Sequence, residues 1–267
     1  MPVGKFTTTL WVAFLMSSLV QAQENQVISI SDIEWGLLNP ARGNSSPKAV
    51  NLWGDRSKNV ATGMLVKFDK GFSSPPHIHN ISYRGVVIEG LLHNDDPTAE
   101  KMWLTPGSFW TQPAGENHIT AANGQSNLIY LEIDSGPYLV KPANQAFDNG
   151  EKTINVASSN LVWLGANDIS WTDRSSVQIA NLWRKADGET ASFIKLPADF
   201  SGYIETDSDL KAVVIKGEAY YHFNHQESST NLSPASFFSS KTTAKHGLKT
   251  KTEVILYLKS KEGYRLK

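Results

Sequence analysis

The chain has 267 residues, with 25 lysines and arginines against 26 aspartates and glutamates, and a net charge of −1. A chain so close to neutrality carries no basic excess for a phosphate backbone, so nucleic acid is not expected as a partner. Cysteine is absent, which excludes disulfides, thiolate nucleophiles and zinc–thiolate sites. Any metal must therefore be held by nitrogen and oxygen ligands. With 40% apolar residues, the length suffices for one or two domains with their own cores.

The first 22 residues have the features of a secretory signal peptide. Lys5 supplies a positive charge, residues 10–20 form an apolar core, and Val20 and Ala22 fit a cleavage site. The apolar run is shorter than a membrane span requires, and polar residues follow it at once. We therefore predict a mature protein that begins near Gln23, is secreted or periplasmic, and has no contact with the membrane after cleavage. An uncleaved membrane anchor is the alternative, which the polar residues disfavour.

From residue 27 onwards, short β-branched and aromatic runs alternate with clusters of Gly, Pro, Asn, Asp and Ser. The clearest runs are residues 61–68, 84–88, 127–133, 191–196, 211–215 and 253–258. No long segment has the 3.6-residue period of a helix. Short strands separated by turn residues are typical of a sandwich or barrel. The predicted fold class is therefore all-β.

The second half of the chain repeats the first at a spacing of roughly 130 residues, which indicates a duplicated domain. The segments that match in collinear order are 32–35 with 168–171, 51–53 with 181–183, 84–90 with 211–217, 106–110 with 234–238, and 128–131 with 255–258. The fourth match also sets His118 opposite His246. We predict a signal peptide at residues 1–22, a first domain at 23–149 and a second domain at 150–267.

Two histidines one residue apart, His77 and His79, stand at the entry of a β-branched run. On an extended strand, residues i and i+2 project from the same face, so both imidazoles would point to one side. His118 follows in the same half of the chain. If the three side chains converge, they form a nitrogen ligand set that leaves a coordination position open for water or substrate. The alternative for His77 and His79 is a surface pair on an edge strand.

The spacing around these histidines resembles the two sequence motifs of the cupin family. The residues that match are Gly71, His77, His79, position 83 and Gly90 for the first motif, and Gly107, Pro113, Gly115 and His118 for the second. The resemblance implies two tandem jelly-roll barrels (double-stranded β-helices), with the first histidines facing the later one across a barrel mouth. The chain resembles the bicupin family catalogued as domain of unknown function 4437 and, more distantly, the cupin half of ChrR-type anti-sigma factors.

One position departs from the cupin pattern, because Tyr83 stands where cupins usually place a glutamate ligand. A tyrosine with an ordinary pKa near 10 is a poorer anion at neutral pH than a carboxylate. We predict a metal site of His77, His79 and His118, with Tyr83 as a further candidate ligand. The alternative role for Tyr83 is a hydrogen bond to a histidine. The expected cofactor is a divalent transition metal: iron, manganese, zinc, nickel or copper.

The second copy lacks the histidine pair. The two positions fall on Ile204 and Thr206 without a gap, or on Tyr203 and Glu205 with a one-residue gap. Of the three ligand positions, only that of His118 keeps a histidine in this copy, His246, and we expect it to be an ordinary hydrogen-bonded histidine. The second barrel is therefore predicted to bind no metal. Its expected role is packing against the first barrel, covering the site as a lid, or assembly.

Several other side chains have both a functional and a structural interpretation. Glu132 could act as a base behind the metal ligands, or it could face solvent. We expect His93 in a loop, and we expect Arg84 to be solvated rather than to bind a substrate carboxylate. Aromatic residues could line an apolar substrate pocket, although most should belong to barrel cores; the candidates are Trp53, Trp103, Phe109 and Trp110.

These features predict a metal-dependent enzyme of the cell envelope that acts on a small molecule. A redox-active metal would support dioxygenase chemistry, whereas zinc or manganese would act as a Lewis acid. The resemblance to cupins favours the oxygenase. The alternatives are a non-catalytic ligand-binding or sensing cupin, and a storage-type bicupin, which the three histidines disfavour. A homodimer is also expected, because cupin sheets often pair through outer strands, although two barrels in one chain can form this pairing internally.

Overall fold

The computed structural model describes residues 25–170, 172, 174, 176–226 and 228–267. The predicted signal peptide at residues 1–22 lies outside these residues. Within the described ranges, no helix has the length and apolar character that a membrane crossing needs. Short 3-10 helices lie at Ile30–Asp32, Pro40–Ser45, Ala143–Gln145 and Ser158–Asn160.

Strands make up the rest of the regular structure. In the first part of the chain they are β1 (Asn25–Ile28), β2 (Gly36–Leu37), β3 (Lys48–Trp53), β4 (Thr62–Phe68), β5 (His77–His79), β6 (Tyr83–Glu89), β7 (Leu92–Asp95), β8 (Phe109–Gln112), β9 (Ile119–Ala122), β10 (Asn127–Ile133) and β11 (Val140–Pro142). The later strands are β12 (Ile154–Val156), β13 (Gln178–Arg184), β14 (Thr190–Leu196), β15 (Ser201–Thr206), β16 (Leu210–Lys216), β17 (Ala219–Phe223), β18 (Thr230–Leu232), β19 (Phe237–Ser240), β20 (Ala244–Thr250), β21 (Val254–Ser260) and β22 (Arg265–Leu266).

Two large antiparallel sheets lie back to back at the centre of the molecule. One has the strand order β12-β8-β6-β10-β4-β3-β2, and the other has the order β1-β19-β16-β21-β14-β13. The sheets β11-β5 and β7-β9 belong to the first half, and the sheet β18-β17-β20-β15-β22 belongs to the second half. The prediction of an all-β fold is confirmed.

The strand β10 shows why the sheets stack in this order. Leu128 and Tyr130 pack into a cluster shared by the two large sheets, whereas Ile129 and Leu131 pack into the interior of the first half. All seven residues of β10 are buried. Because alternate residues face opposite sides of a strand, a strand covered on both faces is buried throughout. A third cluster fills the interior of the second half.

The leading strand of each half adds to the sheet of the other half. β1 pairs with β19, where Ile28 lies opposite Phe237, and β12 pairs with β8, where Val156 lies opposite Phe109. The two leading strands are therefore equivalent, at the same offset of 128 residues that separates Phe109 from Phe237. The division at residues 149 and 150 stays a prediction, and these strands cross it from both sides.

The same offset corrects one match of the sequence repeat. It equates Trp35 with Trp163, and both side chains pack against the cluster between the large sheets. The predicted match of residues 32–35 with 168–171 is therefore wrong; Trp171 itself lies outside the described residues. The true counterpart, residues 160–163, has only the tryptophan in common with residues 32–35, so similarity of letters favoured the wrong segment.

A buried charge cluster joins the two halves at the centre of their interface. Glu132 is fully buried, and it accepts hydrogen bonds from Tyr130 at 2.9 Å and Tyr257 at 3.2 Å. Lys259 donates to Glu132 at 2.8 Å and also pairs with Glu189 at 3.2 Å. Both interpretations of Glu132 are therefore wrong: it neither faces solvent nor lies behind the candidate metal ligands.

Arg84 also contributes to this interface. Its guanidinium donates to Asp134 at 2.8 Å and lies 4.4 Å from the ring centroid of Trp183, which belongs to the second half. The side chain is 21% exposed, so the expectation of a solvated arginine is wrong. Arginine suits this position because its planar guanidinium can stack on an aromatic ring while it pairs with a carboxylate.

Candidate metal centre

Strand β5 and the residue that precedes β9 bring three histidines together. His77 and His118 exchange two backbone hydrogen bonds of 3.0 Å, each N–H donating to the other carbonyl. His77 and His79 project from the same face of β5, as the two-residue period predicts. Their Nε2 atoms lie 3.2 Å apart, and one ring nitrogen from each of the three histidines lies within 4.8 Å of the others.

Each of these imidazoles donates its Nδ1–H to a backbone carbonyl oxygen. The contacts are His77 to Pro75 at 3.0 Å, His79 to Leu139 at 3.1 Å, and His118 to Glu116 at 2.9 Å. Because a carbonyl oxygen can only accept, the proton of each neutral ring lies on Nδ1 and the lone pair lies on Nε2. This is the tautomer in which metal-binding histidines are held by outer contacts. Three Nε2 lone pairs therefore converge on one point.

Burial lowers the pKa of all three imidazoles. The pKa of His118 falls to about 3 and that of His79 lies well below its ordinary value, first because burial penalises the imidazolium and then because other imidazoles are close. The pKa of His77 is also lowered, mainly by burial. The cluster is therefore uncharged at neutral pH. Neutral nitrogen lone pairs that converge without a hydrogen between them repel one another, so this donor set fits a divalent transition metal.

Tyr83 lies beside the cluster as a neutral phenol. Its O–H donates to Asn94 Oδ1 at 3.0 Å, and its oxygen lies 3.3 Å from His118 Nε2. Burial raises the pKa of Tyr83 above its ordinary value near 10, which disfavours the phenolate. These contacts fit a tyrosine hydrogen-bonded to its neighbours, and ligation by Tyr83 stays a prediction.

Substitution of Tyr83 by phenylalanine separates the two roles. We expect Tyr83→Phe to lower the affinity for Zn²⁺ by less than about tenfold, the smaller end of what an outer contact contributes. Asn94 Oδ1 would lose one of its two donors and keep Thr120 Oγ1 at 2.8 Å, so the free energy of unfolding should fall by about 1 kcal/mol. Calorimetric titration with Zn²⁺ and urea unfolding measure both. A loss of affinity above about 100-fold would identify Tyr83 as a ligand.

A second tyrosine, which no sequence motif marks, covers the other side of the cluster. The ring of Tyr138 stacks on His79 with centroids 4.3 Å apart, and its hydroxyl lies 3.1 Å from His79 Nε2. Tyr138 precedes β11, and β11 pairs with β5 so that Val140 lies opposite His79. That pairing joins segments about 60 residues apart, so no local pattern could have indicated Tyr138.

A cavity of about 190 Å³ opens beside the histidines. Polar side chains surround one end, namely His77, His79, Tyr83, Asn94, Thr120 and Tyr138. The walls are largely apolar and include Leu38, Val66, Phe68, Phe72, Ile129 and Leu131. Of the aromatic candidates, Trp110 lines the cavity, whereas Phe109 and Trp53 belong to the cluster between the large sheets. Most of these aromatic residues are therefore core residues, as expected.

His93 does not belong to the cluster. It lies in β7 and is buried, 6.3 Å from Trp103 between ring centroids. The expectation of a loop position is therefore wrong. Within the described part of the chain, the three histidines are the one group of metal-binding side chains that converges.

The second half keeps the frame of the site without its ligands. Ile204 lies opposite His246 just as His77 lies opposite His118, so the alignment without a gap is the structural one. His246 is buried, with Nδ1 2.8 Å from the Tyr221 hydroxyl and Nε2 3.0 Å from Ser240 Oγ. The expectation of an ordinary hydrogen-bonded histidine at position 246 is confirmed.

The environment of His246 predicts a loss of stability in acid. Burial lowers its pKa to about 3, against about 6.5 in an unfolded chain. Between these values the unfolded state binds more protons, so the free energy of unfolding falls as the pH falls. We expect His246→Phe to lose stability less steeply than the unsubstituted protein, by about 2–3 kcal/mol between pH 6.5 and 4. Urea unfolding of both proteins with a chelator present measures this difference, and parallel curves would contradict it.

The fold resembles that of several solved structures. A candidate dioxygenase from Nostoc punctiforme is 14% identical over 91% of this chain and 82% of that chain, with a TM-score of 0.68. Salicylate 1,2-dioxygenase from Pseudaminobacter salicylatoxidans is 12% identical over 96% and 91%, with a TM-score of 0.61. Oxalate decarboxylase from Lactobacillus farciminis is 11% identical over 92% and 88%, with a TM-score of 0.59. At these identities the likeness shows the fold alone.

The prediction of a cupin jelly-roll fold is confirmed by these likenesses and by the sheets of the structure. A comparison with curated proteins found no match in sequence. The profile of one family, described as domain of unknown function 4437, matches residues 26–267. This span includes nearly all of the two large sheets and all three histidines. The chain therefore belongs to the family of domain of unknown function 4437.

Proposed function

We propose that this protein is a metal-dependent enzyme of the cell envelope that acts on a small molecule at a centre of His77, His79 and His118. The observation that carries the proposal is the convergence of three Nε2 lone pairs, each fixed by an Nδ1–H bond to a backbone carbonyl. His77 Nε2 faces another imidazole nitrogen, His79 Nε2 at 3.2 Å, whereas both nitrogens of His246 face hydroxyl groups.

When bound, a divalent transition metal supplies an open coordination position, for dioxygen chemistry if it is redox-active or for Lewis-acid chemistry if it is not. The apolar walls of the cavity exclude water and hold the body of a substrate. The Tyr138 hydroxyl has His79 Nε2 as its partner. Once that nitrogen is a ligand, the Tyr138 O–H is free to donate to a substrate atom.

Two measurements test the proposal. Elemental analysis of protein purified from the native compartment without added metal should find about one equivalent of a transition metal. The variant with both His77→Ala and His79→Ala should contain none, and unchanged metal content in that variant would end the metal hypothesis. Oxygen uptake by the iron-loaded and zinc-loaded proteins with candidate substrates then separates the oxygenase from the Lewis-acid reaction.

A non-catalytic ligand-binding or sensing cupin is the second candidate function. Two observations support it: Tyr83 occupies the position of the usual carboxylate ligand, and the second half has no ligand set. For this function we expect ligands that bind the metal-loaded protein without turnover. Detection of any product that depends on His118 would rule it out.

We also propose that the mature chain begins near Gln23 and is secreted or periplasmic, with barrels at residues 23–149 and 150–267. The support is the composition of residues 1–22 and the duplication of the sheets. The intact mass of the protein from the exported fraction tests the cleavage position. Sedimentation tests the expected homodimer.

A further inference from the structure

The cavity beside the histidines has one charged side chain among its described lining residues. Arg42 lies in the 3-10 helix Pro40–Ser45, lines the cavity and is exposed to solvent, and its guanidinium carbon is 6.0 Å from the ring centroid of Phe72. The polar lining of the cavity, which includes the neutral imidazoles of His77 and His79, carries no other charge. A ligand in this cavity therefore meets a single positive charge, and it meets that charge close to solvent.

The guanidinium of Arg42 is not engaged by the protein. No hydrogen bond or ion pair joins its side chain to the described residues, and it is exposed. The other two arginines of the first half are held in place: Arg56 donates to Asn51 and Leu37, and Arg84 donates to Asp134. An unengaged guanidinium presents five N–H donors in a planar fork, the arrangement that binds a carboxylate through two parallel hydrogen bonds.

The second half supplies a comparison within the same chain. Arg174 also lies over a phenylalanine, 5.6 Å from the Phe200 ring centroid, but it donates to the Ser201 carbonyl at 3.0 Å. The backbone oxygen of Lys267 also lies near this arginine, because a Cβ added at Gly202 would be 2.2 Å from that oxygen and 3.1 Å from Arg174 Nη2. Of the two arginines that lie over a phenylalanine, Arg174 in the half without the histidine ligands holds backbone, whereas Arg42 in the half that has them is free.

The size of the cavity limits the ligand. A cavity of about 150 Å³ lined by apolar side chains holds benzene, and the present cavity measures about 190 Å³. It therefore accommodates one six-membered ring, or a branched chain of similar size, with one small substituent. Its walls favour an apolar body, since Phe68, Phe72 and Leu131 offer no hydrogen bonds.

We propose that the ligand of this cavity is a small carboxylate with an apolar body about the size of one ring. Arg42 binds the carboxylate at the mouth, and the opposite end of the ligand lies at the histidines. This inference rests on the proposed function, because it names the substrate class of the same site. Arg42 therefore determines specificity. The end of the ligand that reacts is the end opposite the carboxylate.

The test uses benzoate as the probe and benzamide as its neutral counterpart, with the zinc-loaded mature protein and calorimetric titration. Benzoate should bind at least about tenfold more tightly than benzamide, because only the carboxylate carries a charge that the guanidinium can bind through two parallel hydrogen bonds. Arg42→Met should remove this preference, lowering benzoate affinity about tenfold or more and leaving benzamide affinity unchanged. Arg174→Met, the matched control from the second half, should change neither affinity.

Metal content and benzoate binding are measured on every sample, so the two proposals can fail separately. If Arg42→Met keeps its metal and binds benzoate as tightly as the unsubstituted protein, the inference is overturned and the metal centre stands. The inference is also overturned if benzoate does not bind, or if its binding depends on zinc alone, since the carboxylate would then lie at the histidines. If the protein takes up no metal but the Arg42-dependent preference for benzoate persists, the carboxylate site stands and the metal-dependent enzyme does not.

Discussion

Replacement of Lys259 by methionine is expected to lower the free energy of unfolding by about 3–5 kcal/mol. Glu132 is fully buried, and Lys259 is the one cation in hydrogen-bond contact with it among the described residues. Without the lysine, two tyrosine hydroxyls remain as donors to a carboxylate that has no access to water. An uncompensated buried charge is among the most destabilising changes that a single substitution can make. Guanidinium-induced unfolding at pH 7 measures the loss.

Two variants make this result specific. Glu132→Gln combined with Lys259→Met should recover most of the lost stability, because no charge is then left buried. Lys216→Met should change stability by less than about 1 kcal/mol, because the Lys216–Glu253 pair is exposed to solvent on both sides. If Lys259→Met were no more destabilising than Lys216→Met, the cluster would contribute little to the interface.

The same pair bears on how the two halves recognise each other. Glu132 follows Tyr130 by two residues and Lys259 follows Tyr257 by two, so they are equivalent positions of the duplication. Each tyrosine accepts a hydrogen bond from an equivalent tryptophan, Trp53 or Trp183. Two identical halves packed in this way would set like charges against each other in a buried place. One glutamate and one lysine instead pair opposite charges, which favours contact between unlike halves.

The sequence predicted the elements whose evidence is local. His77 and His79 share a face because strand residues alternate, and the resemblance to the cupin motifs indicated His118 as the third imidazole. The β-rich runs and turn residues indicated the fold class for the same reason. The alternation around Glu132 indicated that its side chain could be buried. The sheet is covered on both faces, however, by the interior of the first half on one side and by the other large sheet on the other. Nothing in a strand pattern tells which of the two a side chain enters.

The features that could not be predicted depend on pairing between distant segments. Tyr138 reaches His79 because β11 pairs with β5, and Ile28 reaches Phe237 because β1 joins the sheet of the other half. The register of such pairings follows from packing and loop geometry. Arg42 belongs to the same class, since its position at the cavity mouth depends on a 3-10 helix that carries no motif.

Substitution of His118 by phenylalanine should remove most of the stabilisation that metal gives to the protein. With Zn²⁺ at 1,000 times its dissociation constant, the free energy of unfolding of the unsubstituted protein should rise by about 4 kcal/mol. Residues that hydrogen-bond to metal ligands contribute about 10–100-fold to metal affinity. Loss of a ligand itself should therefore lower the affinity for Zn²⁺ by more than about 100-fold. At the same Zn²⁺ concentration the gain for His118→Phe should then be about 1.4 kcal/mol or less.

His246→Phe is the matched control, because position 246 is the counterpart of position 118 in the second half. Both substitutions replace a buried imidazole by a larger apolar ring, so both can lower the stability of the metal-free protein. Only His118 contributes an Nε2 to the converging lone pairs; both nitrogens of His246 are already hydrogen-bonded. The stabilisation by Zn²⁺ should therefore persist in His246→Phe. Equal stabilisation of the two variants would show that metal binds elsewhere and that the three histidines are only core residues.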